Sequence, residues 1–191
     1  MHFMFRVSFL VILTILSKDA FAHKDPWDKD QTSWTTIMKL AYNNDTSNIK
    51  ALLRAGVSIN LRNKEGWTAL KVATKKGLYA TIHFLLSNGA DPNLADEYKM
   101  TPLMEASQHD ELAIAQLLIK KGADPNRKNR SGWTALMGAA SFADIEMMKL
   151  LVSSGADVNV KREMGGTTAL ELARLKEDKK KIEFLLAKGA K

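Results

Sequence analysis

The residues of this sequence best suited to acid–base or metal chemistry are its four histidines, and their spacing supports neither. His109 stands beside Asp110, but a hydrolytic triad needs a third member and a nucleophile. No two histidines have the spacing of a zinc-binding helix. The chain contains no cysteine, so thiol catalysis and disulfides are excluded. We therefore expect a protein that is not an enzyme, binds no metal or cofactor, and uses His109 as a surface contact.

Large aromatic and basic side chains recur at a fixed spacing that favours the binding of another protein. Trp34, Trp67, Met100 and Trp133 are 33 residues apart, and each stands one residue before a threonine. Tryptophan, tyrosine and arginine dominate many protein interfaces. The predicted partner-binding residues are Trp34, Tyr42, Trp67, Lys75, Lys76, Tyr98, Met100, His109, Arg130, Trp133 and Phe142. The alternative is that the tryptophans lie flat over the neighbouring segments and only stiffen the fold.

The elements that carry these side chains follow from an internal repeat. Five glycines, each preceded by a pair of apolar residues, recur at intervals of 33, 33, 33 and 34 residues: Gly56, Gly89, Gly122, Gly155 and Gly189. A glycine in this position is typical of the end of a helix, where a left-handed backbone is common. Asparagine follows four of them after four residues: Asn60, Asn93, Asn126 and Asn159. We interpret these asparagines as turn residues that bond to their own backbone.

Threonine marks the start of each repeat. The pattern Thr-x-Leu with alanine three residues later occurs four times, beginning at Thr68, Thr101, Thr134 and Thr168, and Thr35-Thr36-Ile37 opens a weaker first copy. Threonine caps helix N-termini, and Pro102 suits a first helical turn. Leucine and alanine three residues apart share one helix face. Each repeat is therefore predicted to be two short helices followed by an extended finger.

This register resembles the ankyrin repeat. The resemblance rests on segments such as Gly66-Trp67-Thr68-Ala69-Leu70, Met100-Thr101-Pro102-Leu103 and Gly122-Ala123-Asp124-Pro125-Asn126. It implies an all-α solenoid of about five helix-turn-helix repeats with short hairpin fingers, starting near residues 35, 68, 101, 134 and 168. It also implies that a partner binds through the finger tips and the first helix of each repeat.

Two departures from the family pattern and a run of lysines in the last repeat affect these expectations. The histidine that usually follows Thr-Pro-Leu is replaced by Met38, Lys71, Met104, Met137 and Glu171, so its polar bracing must come from elsewhere or be missing. One extra residue in 164–167 lengthens the last finger. The run Lys179-Lys180-Lys181 is interpreted as part of a solvated capping face, the alternative being a patch for nucleic acid or another anionic polymer.

The first 22 residues have the pattern of a secretory signal peptide. Arg6 precedes the apolar run 7–16, and Ala20-Phe21-Ala22 forms a small-x-small cleavage site. The run is shorter than the roughly 20 residues of a bilayer-spanning helix. Its removal takes away two basic residues and one acidic residue from a chain of net charge +7. We expect a flexible mature N-terminus at 23–29, a single repeat domain at 30–191, and a periplasmic or secreted location without a membrane anchor.

The function expected from these features is the binding and regulation of a protein. The sequence resembles small exported bacterial ankyrin-repeat proteins, some of which protect the producing cell from its own cell-wall hydrolases. That resemblance implies an inhibitor of an enzyme in the same compartment, monomeric when free. The alternatives are a secreted effector that binds a host protein, a support protein for periplasmic oxidative-stress defence, and a binder of anionic polymers.

Overall fold

The computed structural model describes residues 34–162 and 165–191, and within them the chain forms ten helices and no strand. The helices come in five pairs. In chain order they are α1 (Thr36–Tyr42), α2 (Thr46–Arg54), α3 (Ala69–Lys75), α4 (Tyr79–Ser87), α5 (Pro102–Gln108), α6 (Leu112–Lys120), α7 (Ala135–Phe142), α8 (Ile145–Ser153), α9 (Ala169–Leu175) and α10 (Lys179–Ala187). The predicted all-α repeat solenoid is confirmed. The expected signal peptide and the segment 23–29 lie outside the described residues.

The first helix of each pair begins where the threonine register predicts. The hydroxyl oxygens of Thr68, Thr101, Thr134 and Thr168 each accept a hydrogen bond from the backbone N–H three residues later. Thr168 also forms a complete capping box, because the carboxylate of Glu171 accepts the backbone N–H of Thr168. Thr35 has the same extended backbone but makes no side-chain cap. The weaker first copy is thus weaker in its capping as well.

The second helices end at the predicted glycines in a left-handed turn. Gly89, for example, has φ +89°, and the next residue, Ala90, donates its N–H to the Leu85 carbonyl. This backbone hydrogen bond closes the helix end. It requires a left-handed conformation at residue 89 that a side chain would strain. The same backbone arrangement recurs after α2, α6, α8 and α10. The spacing of these glycines in the sequence is therefore the spacing of the C-terminal ends of the second helices.

The helices pack as two layers. The first-helix layer consists of α1, α3, α5, α7 and α9, each in contact with the next, and the second-helix layer consists of the even-numbered helices. Buried leucine and alanine from the repeated Thr-x-Leu-x-x-Ala pattern fill the space between them, including Leu70, Ala73, Leu136 and Ala139. Contact between α5 and α7 is especially close, since a Cβ at Gly138 would stand 3.2 Å from Cγ of Gln108. Most of the buried apolar side chains form one core cluster along the stack, and Met38, Tyr42 and Val72 form a second, smaller one.

The regularly spaced asparagines bond to a neighbouring repeat and not, as predicted, to their own backbone. The side chain of Asn93 bonds to the following repeat and not to its own turn: its Nδ2 donates to the Gly122 carbonyl, and its Oδ1 accepts the Asp124 N–H, both at 2.8 Å. Asn60, Asn126 and Asn159 make the same pair of bonds to the following repeat. The turn itself is closed by aspartate, as where Asp91 accepts the Asn93 N–H. The asparagines therefore join repeats.

The fingers are hairpin turns between a second helix and the next first helix. Three of them are closed by a backbone N–H bonded to the carbonyl four residues later, in the pairs Asn63–Trp67, Asp96–Met100 and Asn129–Trp133. The last is closed between Arg162 and Thr167 and is one residue longer, as the sequence predicts. Adjacent fingers are bonded as well, because the Arg130 N–H donates to the Tyr98 carbonyl at 2.9 Å.

The C-terminal lysine run is only partly a solvated face. Lys179 and Lys180 are exposed, but Lys181 is buried, with 8% of its surface accessible. Its Nζ lies 3.4 Å from the Ala140 carbonyl and 3.4 Å from the Asp178 carboxylate. Lys181 is therefore a packing residue of the last pair of helices, which corrects the interpretation of all three lysines as solvent-facing.

Candidate protein-binding surface

The predicted binding residues lie where the fingers meet the first-helix layer. Three finger turns are closed at Trp67, Met100 and Trp133, each one residue before the threonine that caps the next first helix. Tyr42, Lys75 and Phe142 are the last residues of α1, α3 and α7. Lys76 and His109 follow the last residues of α3 and α5, and Tyr98 and Arg130 lie in the fingers. Trp34 directly precedes the N-cap threonine of α1. The fold thus places them on one side of the stack.

Three aromatic rings meet at the N-terminal end of this side. The ring centroids of Trp34 and Tyr42 are 5.5 Å apart in an edge-to-face arrangement, and those of Trp34 and Trp67 are 6.3 Å apart. Lysine ammonium groups cover the rings: Lys76 Nζ lies 3.4 Å from the Tyr42 centroid, and Lys75 Nζ lies 5.4 Å from that of Trp67. We call these three rings the N-terminal aromatic cluster. It packs on buried Met38 and Val72 and so belongs partly to the core.

A buried charge network lies directly beneath Trp67. Lys71 is 2% exposed, and its Nζ lies 3.0 Å from Oδ2 of Asp96 and 3.3 Å from Oε2 of Glu105. Burying a lone ammonium group is very costly, and here two carboxylates lie close enough to compensate its charge. Glu105 also lies 3.6 Å from Lys75 Nζ and 3.3 Å from His109 Nε2. The network joins α3, the following finger and α5, and it provides polar bracing where the family histidine is replaced.

Asp96 has two roles in this network. While Oδ2 faces Lys71, its Oδ1 accepts the backbone N–H groups of Tyr98 and Met100 at 2.9 Å each, which shapes the finger. Asn63 and Asn129 hold the corresponding turns of their own fingers through the same side-chain oxygen. A carboxylate replaces the amide only in the finger that faces a buried lysine. The negative charge of Asp96 therefore compensates Lys71, while its Oδ1 accepts the hydrogen bonds that close the turn, as an asparagine does in the other two fingers.

The middle of the surface is less aromatic. Tyr98 lies at a finger tip with 59% of its surface exposed, and the Arg130 guanidinium carbon lies 6.0 Å from its ring centroid. Met100 replaces tryptophan in the register, and its sulfur accepts a hydrogen bond from Asn129 Nδ2 at 3.2 Å. His109, at the end of α5, has 56% of its side chain exposed. These residues connect the two aromatic ends of the surface.

A second aromatic group lies at the C-terminal end. Trp133 and Phe142 stack with their centroids 6.4 Å apart and an angle of 21° between the rings. Arg162 lies 5.3 Å from the Trp133 centroid, and Lys176 Nζ lies 5.8 Å from that of Phe142. Phe142 is 59% exposed. We call Trp133, Phe142, Arg162 and Lys176 the C-terminal aromatic cluster.

The tryptophan series is thus divided rather than continuous, and one predicted residue is hidden. Trp34, Trp67, Met100 and Trp133 are all partly buried and pack on core residues. Tyr42 is only 6% exposed, because Trp34 and Lys76 cover its ring. Because of this burial, a partner could touch the Tyr42 ring only if Trp34 or Lys76 moved away. The use of the other ten residues by a partner stays a prediction.

Sequence reasoning did not place Arg162 and Lys176 in the site. Both were visible as basic residues, Arg162 in the last finger and Lys176 in the last repeat. Their register contains the missed signal, because Lys76, His109, Phe142 and Lys176 occupy matching helix-end positions in successive repeats. The network of Lys71, Asp96 and Glu105 was also not predicted. The signal for it was the lysine at a register position that is methionine in three other repeats.

The described residues offer neither a metal site nor a membrane span. Within 34–162 and 165–191 no group of three or more histidine, aspartate or glutamate residues is arranged to hold a metal ion. None of the helices in those ranges is long and apolar enough to cross a membrane. What the described residues do present is a surface of aromatic and cationic side chains on paired helices.

Paired helices stacked in one direction, with fingers and a side-chain surface along one side, define a helical repeat protein that binds other proteins. A family model described as ankyrin repeats (3 copies) matches residues 8–96, 37–129, 83–162 and 103–191. The chain belongs to the ankyrin-repeat family, whose members are generally non-catalytic interaction modules. The first matched span begins inside the segment predicted as a signal peptide. Comparison with curated proteins gives no match.

Proposed function

We propose that this chain is an exported binding protein that inhibits or regulates an enzyme of its own compartment, with a cell-wall peptidoglycan hydrolase as the leading target. The family membership supports a protein partner. The exported location rests on the sequence pattern of residues 1–22, and the hydrolase on the resemblance described above. The observation that carries the proposal is the one-sided surface of tryptophans and cations along the first-helix layer.

The physical properties of this surface suit an inhibitor. Its tryptophan side chains are held by core residues, so they lose little conformational entropy when a partner docks. Its finger backbone is fixed by hydrogen bonds between adjacent fingers. A rigid surface can cover an enzyme cleft without rearranging, as in many protease–inhibitor pairs. An interface of standard size buries about 1,600 Å² in total.

The test is the rate at which a periplasmic extract of the source cell degrades dye-labelled peptidoglycan. Purified mature protein should slow that rate in proportion to its concentration. The double variant Trp67→Ala/Trp133→Ala should lose the effect, whereas Tyr79→Ala, which changes an exposed tyrosine on the second-helix layer, should retain it. Thermal unfolding of each variant shows that its fold is intact.

The rival functions predict other results. A rate that saturating protein leaves unchanged would exclude hydrolase inhibition. Fractionation of a tagged copy with the culture medium would favour a secreted effector. Protection of a periplasmic catalase or peroxidase, with no effect on peptidoglycan, would favour oxidative-stress support. Binding to anionic polymer that disappears at roughly 0.2 M salt and ignores the tryptophans would favour a polymer binder.

A further inference from the structure

We propose that the C-terminal aromatic cluster is the recognition centre of the surface, and that its ligand is an acidic amphipathic segment of a protein, with carboxylates flanking a bulky apolar side chain. This inference rests on the proposed protein-binding function and adds the location and the chemistry of recognition. It assigns the opposite end of the surface, the N-terminal aromatic cluster, a mainly structural role.

The two clusters differ first in what they leave accessible. In the N-terminal cluster Tyr42 is almost entirely covered, and Trp34 and Trp67 pack on each other. In the C-terminal cluster Phe142 leaves more than half of its surface in solvent. Leu175, which ends the neighbouring helix α9, is 77% exposed. Phe142 and Leu175 thus leave two large apolar side chains exposed at the ends of two helices that pack together. Exposed apolar surface of this kind is typical of a binding site when it is grouped.

The clusters differ next in how their cations are balanced. Beneath the N-terminal cluster, Lys71 and Lys75 face Glu105, and Lys71 also faces Asp96, so their positive charge is already neutralised within the protein. Arg162 and Lys176 form no ion pair with any residue in 34–162 or 165–191. A carboxylate of a partner could form an ion pair with either of these cations. Such a pair would contribute more to binding than one with a lysine that is already paired within the protein.

The geometry fits a mixed ligand better than a purely anionic one. Arg162 is held in place because its Nε donates to the Ser131 carbonyl at 3.1 Å while the guanidinium lies over Trp133. Lys176 is held near the Phe142 ring. A ligand with a leucine or phenylalanine that packs on Phe142, and with carboxylates on either side of it, offers an apolar group to the ring and a negative charge to Lys176 and Arg162. An anionic polymer without apolar groups would leave Phe142 and Leu175 uncovered.

The experiment uses two fluorescein-labelled peptides of the same length, Glu-Asp-Leu-Phe-Glu-Asp and its uncharged counterpart Gln-Asn-Leu-Phe-Gln-Asn, titrated with the mature protein. Fluorescence polarisation gives the affinities, and ¹H–¹⁵N spectra locate the binding site. We expect the acidic peptide to bind, the neutral peptide to bind at least about tenfold more weakly, and the shifts to centre on Trp133, Phe142 and Lys176. Equal binding of the two peptides would overturn the charge assignment.

Matched variants test the position of the site. Phe142→Ser and Lys176→Glu should each weaken the acidic peptide about fivefold or more, and Phe142→Tyr should keep most of the affinity. The controls make the same changes elsewhere: Tyr79→Ser on α4 and Lys50→Glu on α2, both exposed residues of the second-helix layer. Equal losses from Lys176→Glu and Lys50→Glu would mean that only the overall charge matters, which would overturn the proposal.

The failure of this inference is distinguishable from the failure of the proposed function. If Phe142→Ser still slows peptidoglycan degradation like the wild-type protein, the recognition centre lies elsewhere while the inhibitor function stands. If the acidic peptide binds at the C-terminal cluster but no enzyme in the extract is affected, the recognition chemistry stands and the inhibitor function is wrong.

Discussion

The ammonium group of Lys71 lies 3.0 Å from the Asp96 carboxylate, with both side chains almost fully buried. The corresponding position in three other repeats is methionine: Met38, Met104 and Met137. One repeat therefore contains a buried ion pair at a position where three others contain a buried methionine. Buried pairs seldom add net stability over a well-packed apolar alternative, but removal of one partner leaves an uncompensated charge.

Lys71→Met should therefore destabilise the protein although methionine fits this position in neighbouring repeats. We expect a loss of about 3 kcal/mol in the free energy of unfolding, because Asp96 is left buried without its counter-charge and Glu105 keeps only the partly exposed Lys75 and His109. Urea denaturation followed by circular dichroism measures the change. A loss below about 0.5 kcal/mol would mean that the carboxylates are balanced by other groups.

A triple variant separates the charge from the packing. Lys71→Met/Asp96→Asn/Glu105→Gln removes all three charges and keeps Oδ1 of residue 96 as the acceptor that shapes the finger, as Asn63 and Asn129 do. We expect it to recover most of the stability lost in Lys71→Met, measured in the same urea titration. A triple variant less stable than the single one would show that the network is stabilising as a whole.

Asn93 should contribute to stability by joining repeats. Asn93→Ala removes both of its side-chain bonds to the following repeat, and we expect a loss of about 1–2 kcal/mol in the free energy of unfolding. Asn88→Ala is the matched control, because the amide of Asn88 is exposed and bonds only to the Phe84 carbonyl of its own helix. Equal effects of the two substitutions in urea denaturation would contradict a joining role for Asn93.

The sequence predicts the features of this fold that depend on a few neighbouring residues. A left-handed helix end at Gly89 and a threonine cap at Thr134 are local requirements of the backbone, so their repetition every 33 residues identifies the solenoid directly. The longer last finger follows in the same way from one extra residue. Local chemistry, repeated at constant spacing, is enough to predict the element order.

Features that depend on distant partners were not predictable in the same way. The bonds of Asn93 to Gly122 and Asp124 cross from one repeat to the next, so the asparagine alone resembled an ordinary turn residue. Lys71 meets Glu105 only because α3 and α5 are stacked. Which side chains are left uncovered also depends on this stacking, and for that reason Tyr42 could not be separated from Phe142 by residue type.

Two glycines with the same left-handed backbone should respond differently to a methyl group. Gly66 has φ +78° and Gly89 has φ +89°, so alanine is strained at both. A Cβ at Gly89 meets no atom within 4 Å, whereas at Gly66 it would lie 2.6 Å from Nη2 of Arg62 and 3.2 Å from Cα of Asp96. We expect Gly89→Ala to cost about 1–2 kcal/mol and Gly66→Ala clearly more, because the neighbouring finger must also move.

The midpoints of thermal unfolding, measured for the two alanine variants under the same conditions, check this difference. Arg62 Nη2 donates to the Ala95 carbonyl, so displacing it also breaks a bond between fingers. The variant Gly66→Ala/Arg62→Ala removes the side chain that the new methyl group meets first, while the backbone contact with Asp96 remains. If Gly66→Ala were no worse than Gly89→Ala, backbone strain alone would explain both.

Thr134 and Thr35 stand at the same place in the register and should respond in opposite directions to the same substitution. The Thr134 hydroxyl accepts the Met137 N–H, so Thr134→Val should cost about 1–2 kcal/mol by removing the cap. The Thr35 hydroxyl is buried with no hydrogen-bond partner among the described residues. Thr35→Val replaces this unpaired group with a methyl group of similar shape, so it should leave stability unchanged or raise it. Urea denaturation of both variants decides the matter, and a loss above about 1 kcal/mol in Thr35→Val would show that its hydroxyl does have a partner in solution.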